Sequence, residues 1–271
     1  MREGRGSDGV VSMELEFGVL TELSAAILAL SVAATVFAGI VKGAVGFAMP
    51  LIMVSLIGSI MDPKFALAGV IVPIVFSNLL QTFRTGVEPA KRALQTYWRY
   101  ILIVCIAIFA AAQLVPVIPK RVFYFVLGVP VVILALIQLA GVKLHIPSKH
   151  QAWSEWLIGT ISGLLGGLAG TWGPTTVLYL LAINTPKAQQ VVVQGVIYGM
   201  GSVTLLVAHL NSGILNAFTA PLSLMLLGPA LIGMWLGFKV QDRLNQDQFR
   251  KVTLAILVIA GLNLLRLGAT G

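Results

Sequence analysis

The chain has 271 residues, of which 58% are hydrophobic and only 10% are charged, and its mean hydropathy is +0.94. This composition excludes a soluble domain of this size and predicts a polytopic membrane protein. The net charge of +8 would favour nucleic acid binding in a soluble protein, but the basic residues lie between apolar runs, where they determine membrane topology, so no nucleic acid partner is expected.

The first predicted element is a polar N-terminal tail, residues 1–22, which mixes basic and acidic side chains. A cleaved secretory signal would need a basic start followed promptly by an apolar core and a small-residue site, so no such signal is expected. Residues 1–12 are predicted to be disordered, and Met13 is a candidate for the true start of the chain.

Eight apolar runs are long enough to form helices that cross about 30 Å of hydrocarbon, which takes roughly 20 residues. They are residues 23–41, 65–83, 97–115, 122–140, 156–171, 189–210, 218–238 and 252–267. Two further apolar pieces, residues 50–60 and 174–183, are too short for an ordinary span. The sequence therefore predicts an all-α polytopic membrane protein with eight long transmembrane helices and two short broken or re-entrant helices.

Each short piece follows the same glycine pattern, GxxxGxxGxxxP, at residues 39–50 and again 124 residues later at residues 163–174. Glycines followed by proline interrupt a helix, and an interrupted helix in lipid exposes backbone polar groups that water cannot reach. Such breaks are typical of substrate pathways in transporters. Proline is expected at the first position of each short helix, where its missing N–H has no intrahelical acceptor.

The order of a long run, a break, a short run and three long runs occurs twice. The chain is therefore predicted to contain two transmembrane repeats, residues 23–140 and 156–267, joined by a loop at residues 141–155. Five elements per repeat, an odd number, predict opposite orientations of the two halves. Arg84, Lys91, Arg92 and Arg99 lie in one connection of the first half, whereas its counterpart, residues 209–217, has no Lys or Arg. The positive-inside rule then places both termini outside.

An inverted repeat brings the N-terminal ends of the two short helices together, and their free amides and positive dipole ends favour an anion. Lys42 in the first break can provide the countercharge, or it can snorkel to an interface. The second break offers threonine hydroxyls and an indole N–H, although such hydroxyls often bond their own backbone. The glycines can instead serve close helix packing. The binding residues predicted at the breaks are Lys42, Gly43, Gly46, Phe47, Ala48, Gly167, Gly170, Thr171, Trp172, Thr175 and Thr176.

Two polar pairs on the long helices are also predicted to line the site. Asn78 and Gln81 are three residues apart, Gln194 and Tyr198 are four apart, and each pair shares a helix face. Hydrogen bonding between helices is the alternative role for these side chains. Carboxylates lie only at the ends of the apolar runs or in loops, so no proton relay is evident, and coupling to protons or to sodium stays open.

An enzyme is a weaker interpretation. Ser162 with His209 as its base would make an intramembrane serine hydrolase, but Thr160 stands where a GxSG pattern requires glycine. Cys105 is the single cysteine, and the loop histidines lack the spacing of metal ligands. No catalytic residue, metal or cofactor is therefore expected.

The paired frames AGIVKGAVGFAMP and SGLLGGLAGTWGP, together with the segment GMWLGFKVQDRLNQDQFRKV, resemble the TauE/SafE family of membrane transporters, which are also grouped as sulfonate uptake permeases. The resemblance covers residues 23–267. It implies two related halves and the movement of sulfite, sulfoacetate or other organosulfonates across a bacterial cytoplasmic membrane, with export favoured. The breaks depart from the more glycine-rich family pattern, since they contain FAM at residues 47–49 and TWG at residues 171–173.

Together, the residues and the resemblance predict a secondary transporter that carries a small anion by alternating access. Its expected partners are the anionic substrate and the lipid bilayer, and the sequence leaves open whether a proton or a sodium ion is coupled and whether the protein forms a homo-oligomer. An anion channel is the main alternative, because the same anion site would also suit a selective pore.

Overall fold

The computed structural model describes residues 18–141, 145–241 and 246–270, and these residues form helices joined by short connections. The all-α prediction is thus confirmed for the described part of the chain. The predictions for residues 1–12 lie outside it. The α-helices are α1 (Ala25–Val45), α2 (Met49–Ile57), α3 (Pro63–Phe83), α4 (Val87–Thr96), α5 (Trp98–Ala112), α6 (Lys120–Leu139), α7 (Gln151–Ala169), α8 (Gly173–Ala182), α9 (Lys187–Asn211), α10 (Ala220–Gln241) and α11 (Gln246–Thr270).

Five helices of the described chain, α1, α3, α6, α9 and α10, are long and apolar enough to cross a membrane. The helices α4 and α5 meet at 82° and add a sixth span if the bent pair is counted as one. The described residues of α7 and α11 do not meet the same criteria of length and composition. The protein is therefore a multi-pass membrane protein, and the number of eight spans stays a prediction.

Helix α4 is an element that the sequence pattern did not predict, because its basic residues indicated a loop. It is amphipathic: Ala90 and Ala93 are buried, whereas Lys91 and Arg92 are exposed. Arg92 also pairs with Glu88 one turn earlier, at 3.4 Å. The apolar face is narrow and is made largely of alanine, so the charges dominate the composition of the segment.

The two short helices occur where they were predicted. Helix α2 has nine residues and α8 has ten. Each begins one residue before its proline, so Pro50 and Pro174 are the second helical residues rather than the first. The proline is tolerated there because the second residue of a helix also has no intrahelical acceptor for an N–H.

The helix contacts repeat between the two halves. Helix α1 packs on α10 of the second half, and α7 packs on α5 of the first half. Helix α3 contacts both α9 and α10, while α9 contacts both α3 and α5. Helices α6 and α11 pack against each other. Each of these contacts therefore corresponds to a contact between the equivalent helices when every helix is replaced by its equivalent in the other half.

The first two glycines of each frame allow helix backbones to touch. A Cβ atom at Gly43 would lie 2.2 Å from the carbonyl oxygen of Met234 on α10. A Cβ atom at Gly167 would lie 2.3 Å from the carbonyl oxygen of Ile108 on α5. Both glycines were predicted to bind substrate, but the structure places them in helix contacts, because a side chain at either position would collide with a neighbouring backbone.

Candidate functional site

The third glycine of each frame ends a long helix. Gly46 caps α1 with φ 85°, and Gly170 caps α7 with φ 69°. Their N–H groups donate to the carbonyls of Lys42 and Gly166, at 2.7 and 2.6 Å. Glycine is required here because the left-handed conformation costs other residues free energy. The breaks are therefore glycine-capped helix ends.

The two breaks differ in the residue that precedes each short helix. Ala48, before α2, has φ 75°, which is uncommon for a residue with a side chain. Trp172, at the corresponding position before α8, has φ −78°. The first break thus holds a backbone strain that the second lacks, and such strain is often found at binding sites.

The N-terminal ends of α2 and α8 are in direct contact. A Cβ atom at Gly170 would lie 3.2 Å from Cβ of Pro50, and one at Gly173 would lie 3.0 Å from Cβ of Phe47. First-turn amides have no acceptor within their own helix, and each helix start carries about half a positive charge. Two such ends in contact form an environment that favours an anion.

A small cavity lies between these two ends, with room for roughly one water molecule. The lining residues are Lys42, Phe47, Ala48, Pro50, Leu51, Ile74, Asn78, Gly170, Thr171, Trp172, Gly173, Pro174, Tyr198 and Leu257.

The structure brings many of the predicted binding residues to this cavity, from three different helices and both breaks. They are Lys42, Phe47, Ala48, Asn78, Gly170, Thr171, Trp172 and Tyr198. Leu257 of α11 was missed because one apolar residue in an apolar helix carries no functional signal. Pro50, Gly173 and Pro174 were missed as lining residues although they belong to the break motif itself.

Lys42 is the cation of the cavity. Its side chain is only 2% exposed, so the snorkelling explanation is wrong. Its Nζ atom donates to Oδ1 of Asn78 and, at 3.4 Å, to Oε1 of Gln81. Among the described residues it has no carboxylate partner, and a buried ammonium held only by neutral amides retains an uncompensated charge.

The amide partners of Lys42 are themselves held in place. Asn78 donates through Nδ2 to the carbonyl oxygen of Tyr198 at 3.1 Å, which links α3 to α9. Gln81 does not line the cavity, although it contacts Lys42, and its Nε2 lies 3.6 Å from the Cβ position of Gly46. Gln194 is half-buried and lies outside the cavity lining. Of the predicted pair of Gln194 and Tyr198, the structure therefore brings only Tyr198 to the cavity.

The threonines of the second break bond to the protein instead of pointing to a ligand. Thr171 donates to the carbonyl of Leu165 at 3.0 Å. Thr175 donates to Oγ of Ser162 at 2.7 Å, and Thr176 lies 3.1 Å from the same hydroxyl. Thr175 and Thr176 also lie outside the cavity lining. The prediction that these hydroxyls donate to an oxyanion is not supported, since burial makes internal hydrogen bonds necessary.

Trp172 provides a free donor. No described residue accepts a hydrogen bond from its indole N–H, and its nitrogen is not among the fully enclosed unpaired atoms. The ring packs between glycines on both sides, because a Cβ atom at Gly166 would lie 2.6 Å from it and one at Gly201 would lie 3.3 Å from it. The indole ring is therefore held in place beside the cavity, and its N–H has no acceptor among the described residues.

Ser162 and His209 have separate surroundings. Ser162 donates to the carbonyl of Trp172 at 3.1 Å, whereas His209 has its Nδ1 atom 3.2 Å from Oγ of Ser212. No hydrogen bond joins the serine to the histidine in the described chain, so the nucleophile and base of a hydrolase are not assembled. The described residues also contain no group of three or more side chains suited to hold a metal ion.

Comparison with known proteins identifies one family. The family model described as Sulfite exporter TauE/SafE matches residues 31–264, which include both glycine frames and every residue that lines the cavity. No curated protein and no solved structure matches the chain.

Proposed function

The chain belongs to the sulfite exporter TauE/SafE family of membrane transporters, and from this membership and the cavity we propose that it is a secondary transporter of a small anion. The proposed substrates are sulfite, sulfoacetate or another organosulfonate. The proposed direction is export across the bacterial cytoplasmic membrane, and the proposed mechanism is alternating access.

One observation carries the proposal: the starts of α2 and α8 meet at a cavity that contains the buried Lys42. Each helix start contributes about half a positive charge, and the ammonium adds a full charge. Among the described residues, the side-chain partners of the ammonium are neutral amides, so an anion would supply the missing countercharge. The indole N–H of Trp172 and the first-turn amides would donate to its oxygens.

The matching helix contacts of the two halves support two inverted repeats. A pseudo-two-fold axis that relates the halves explains why the α1–α10 contact matches the α7–α5 contact. In such transporters the substrate lies where the broken helices of both repeats meet, and the repeats move against each other to open either side. The loop charges favour both termini outside.

The narrowness of the cavity favours a carrier over an open channel. The cavity has room for roughly one water molecule, whereas a conducting pore needs a continuous hydrated path. We therefore infer that the site widens when it binds substrate.

The decisive experiment is counterflow in proteoliposomes. Vesicles loaded with unlabelled sulfite or sulfoacetate should transiently accumulate the labelled anion, and the rate should saturate. Empty liposomes and Lys42→Met protein are the controls, and both should show no accumulation. Electrodiffusive flux without exchange would indicate a channel, and consumption of the anion in detergent would indicate an enzyme. Absence of transport of both anions by folded protein would overturn the proposal.

A further inference from the structure

Helix α4 lies almost at a right angle to the helix that follows it. The two helices meet at 82°, and Tyr97 is the residue between them. The apolar α5 packs along α7 and α9, and α9 is long and apolar enough to cross a membrane. A helix at a right angle to a span runs along the membrane surface. Helix α4 is therefore positioned in the interface between lipid and water, at one end of the helix bundle.

Helix α4 carries an apolar stripe that the protein leaves uncovered. Its alanines, Ala90 and Ala93, are buried, and the helix contacts α9. Val87 and Leu94 are seven residues apart on one face, and they are 68% and 38% exposed. Lys91, one turn after Val87, is exposed beside them, and no described carboxylate pairs with it. An apolar stripe bordered by lysine is typical of helices that rest on a lipid surface.

The ends of α3 and α10 bring further basic side chains to this helix. Arg84 follows α3 and precedes α4, and its guanidinium carbon lies 4.4 Å from the ring centroid of Phe238 on α10. This contact holds the last turns of α10 beside the start of α4. Lys239, the next residue of α10, lies 3.5 Å from the ring centroid of Trp235. Both Arg84 and Lys239 are exposed, so basic groups from three helix ends share one surface.

Exposed tryptophans mark the same end of the bundle. Trp98 begins α5, and the adjoining Arg99 pairs with Glu155 of α7 at 3.2 Å, so the first turns of α5 and α7 are neighbours. Tryptophan favours the headgroup level of a bilayer, where its ring is in lipid and its N–H reaches water. The exposed tryptophans near these helix ends are Trp98, Trp153, Trp156 and Trp235. This end of the bundle is therefore at headgroup depth.

We propose that Arg84, Val87, Lys91, Leu94 and Lys239, together the α4 surface, bind anionic phospholipids of the surrounding bilayer. The basic side chains donate to the phosphate oxygens, and the acyl chains cover the two apolar residues. The inference is independent of which anion the protein transports, because it concerns the outer surface of the bundle and not the cavity.

The charge and the apolar stripe together select this class of lipid. Glu88 and Glu155 already pair with arginines, so the lysines of the α4 surface give it an excess of positive charge. A zwitterionic headgroup adds a cation, which a lysine repels. A free phosphate ion would leave the apolar stripe in water. A lipid with net negative charge satisfies both features, and the proposed topology places the α4 surface in the cytoplasmic leaflet, where such lipids attract basic segments.

The first test measures which side of α4 contacts lipid. In a Cys105→Ala background, a nitrobenzoxadiazole probe is attached to Leu94→Cys or, as the matched control, to Gln95→Cys. The two positions are both exposed but are turned by about 100° from each other around the helix. In bilayers of brominated phosphatidylglycerol, the probe at Leu94→Cys should lose most of its emission, whereas the probe at Gln95→Cys should keep it. Equal quenching at the two positions overturns the inference.

The second test measures lipid affinity by native mass spectrometry of the purified protein. The wild type should bind phosphatidylglycerol more tightly than phosphatidylcholine with the same acyl chains. Lys91→Gln/Arg92→Gln should weaken phosphatidylglycerol binding by roughly fivefold or more, since each basic residue near an anionic headgroup contributes about fivefold. Lys120→Gln/Arg121→Gln is the matched control, because it also removes two exposed basic residues, one of them in an ion pair.

The control should bind phosphatidylglycerol as the wild type does. Lys91→Gln alone leaves every described ion pair intact, and it covers the case in which the double variant does not fold. No preference of the wild type for phosphatidylglycerol, or an equal loss in the control and in the α4 variants, overturns the inference. Neither test uses transport, so its failure is distinct from a failure of the proposed function.

Discussion

At the scale of single residues, Lys42 determines the charge of the proposed site. Its ammonium is buried against Asn78 and Gln81, which orient it but cannot neutralise it. The protein therefore bears the cost of an uncompensated charge inside an apolar helix bundle, and that cost falls when an anion binds.

We predict that Lys42→Met weakens binding of sulfite by about tenfold or more, because a hydrogen bond to a charged group contributes about 1.5–3 kcal/mol. Methionine keeps much of the side-chain volume, so the packing of α1 should persist. Titration calorimetry in detergent measures the change. Lys120→Met is the control, since that lysine is exposed and pairs with Asp62 at 2.7 Å. A Lys42→Met isotherm equal to that of the wild type would refute the role of this ammonium.

Trp172 contributes a donor, and Trp172→Phe removes only the N–H while it keeps an aromatic ring between Gly166 and Gly201. We expect a smaller loss of anion affinity, about two- to tenfold, which corresponds to one hydrogen bond of about 0.5–1.5 kcal/mol. The same titration applies. Trp235→Phe is the matched control, because Trp235 is 56% exposed on the outer surface. Equal affinities for Trp172→Phe and wild type would show that the indole N–H does not contact the anion.

Ala48 holds a left-handed backbone conformation that glycine adopts more easily. Ala48→Gly should therefore stabilise the folded protein by about 1 kcal/mol, the approximate cost of this conformation for a residue with a Cβ atom. Thermal unfolding in detergent should show a higher Tm. Ala34→Gly within α1 should lower the Tm, because glycine in a helix interior costs about 1 kcal/mol. A lower Tm for Ala48→Gly would mean that the strain at Ala48 is not relieved by glycine.

At the scale of helices, each glycine frame performs two separate tasks. Its first two glycines allow α1 to touch α10 and α7 to touch α5, and its third glycine ends the long helix. The packing glycines thereby fix the distance between helices of different halves. The capping glycines fix where the chain turns into the cavity.

Gly43→Ala should destabilise the protein by about 1–3 kcal/mol, because the new methyl group must separate α1 from α10. Gly228→Ala is the matched control within α10, since nothing lies within 4 Å of its Cβ position. It should be neutral or stabilising by about 0.5–1 kcal/mol, because alanine is the better helix former. Thermal unfolding and yield in the membrane fraction report both changes. Equal destabilisation by the two variants would contradict the packing role of Gly43.

The glycine frames were sufficient to predict α2, α8 and the two breaks, because the doubled pattern ended in proline at both places. They were not sufficient to separate Gly43 and Gly167, which pack, from Gly46 and Gly170, which cap. Helix packing and helix capping both require glycine because it has no Cβ atom. Only the position of the neighbouring helix shows which of the two roles a given glycine has.

Side-chain direction was the second limit of sequence-based prediction. The burial of Lys42 depends on Asn78 and Gln81 of another helix, so snorkelling was an equally good expectation from local sequence. The hydroxyls of Thr175 and Thr176 were predicted to face an anion, but Ser162, more than ten residues earlier, takes up both of them. The residue spacing within a single segment does not show hydrogen-bond partners that lie elsewhere in the chain.

At the scale of the whole molecule, both halves contribute residues to the proposed anion site. The described contacts between helices of the two halves correspond to one another when the halves are exchanged. The cavity is lined by Lys42 of the first half and by Trp172 of the second half. Neither half alone contains both the cation and the indole donor. A movement of one half relative to the other therefore changes the anion site directly, which is the requirement for alternating access.

The proposed opposite orientation of the halves predicts the labelling of two corresponding loops. In a Cys105→Ala background, a cysteine at Asn216 should react with an impermeant maleimide added to intact cells. A cysteine at Gln95, in the matching connection of the first half, should react only after permeabilisation. The native residues at both positions are exposed, so access to the reagent is decided by the membrane alone. The four basic residues near Gln95 favour the cytoplasmic side, and the loop of Asn216 has none.

Reversed labelling would invert the proposed topology and place the termini in the cytoplasm. Labelling of both positions from the same side would be incompatible with inverted repeats, since loops related by such a repeat must lie on opposite faces of the bilayer.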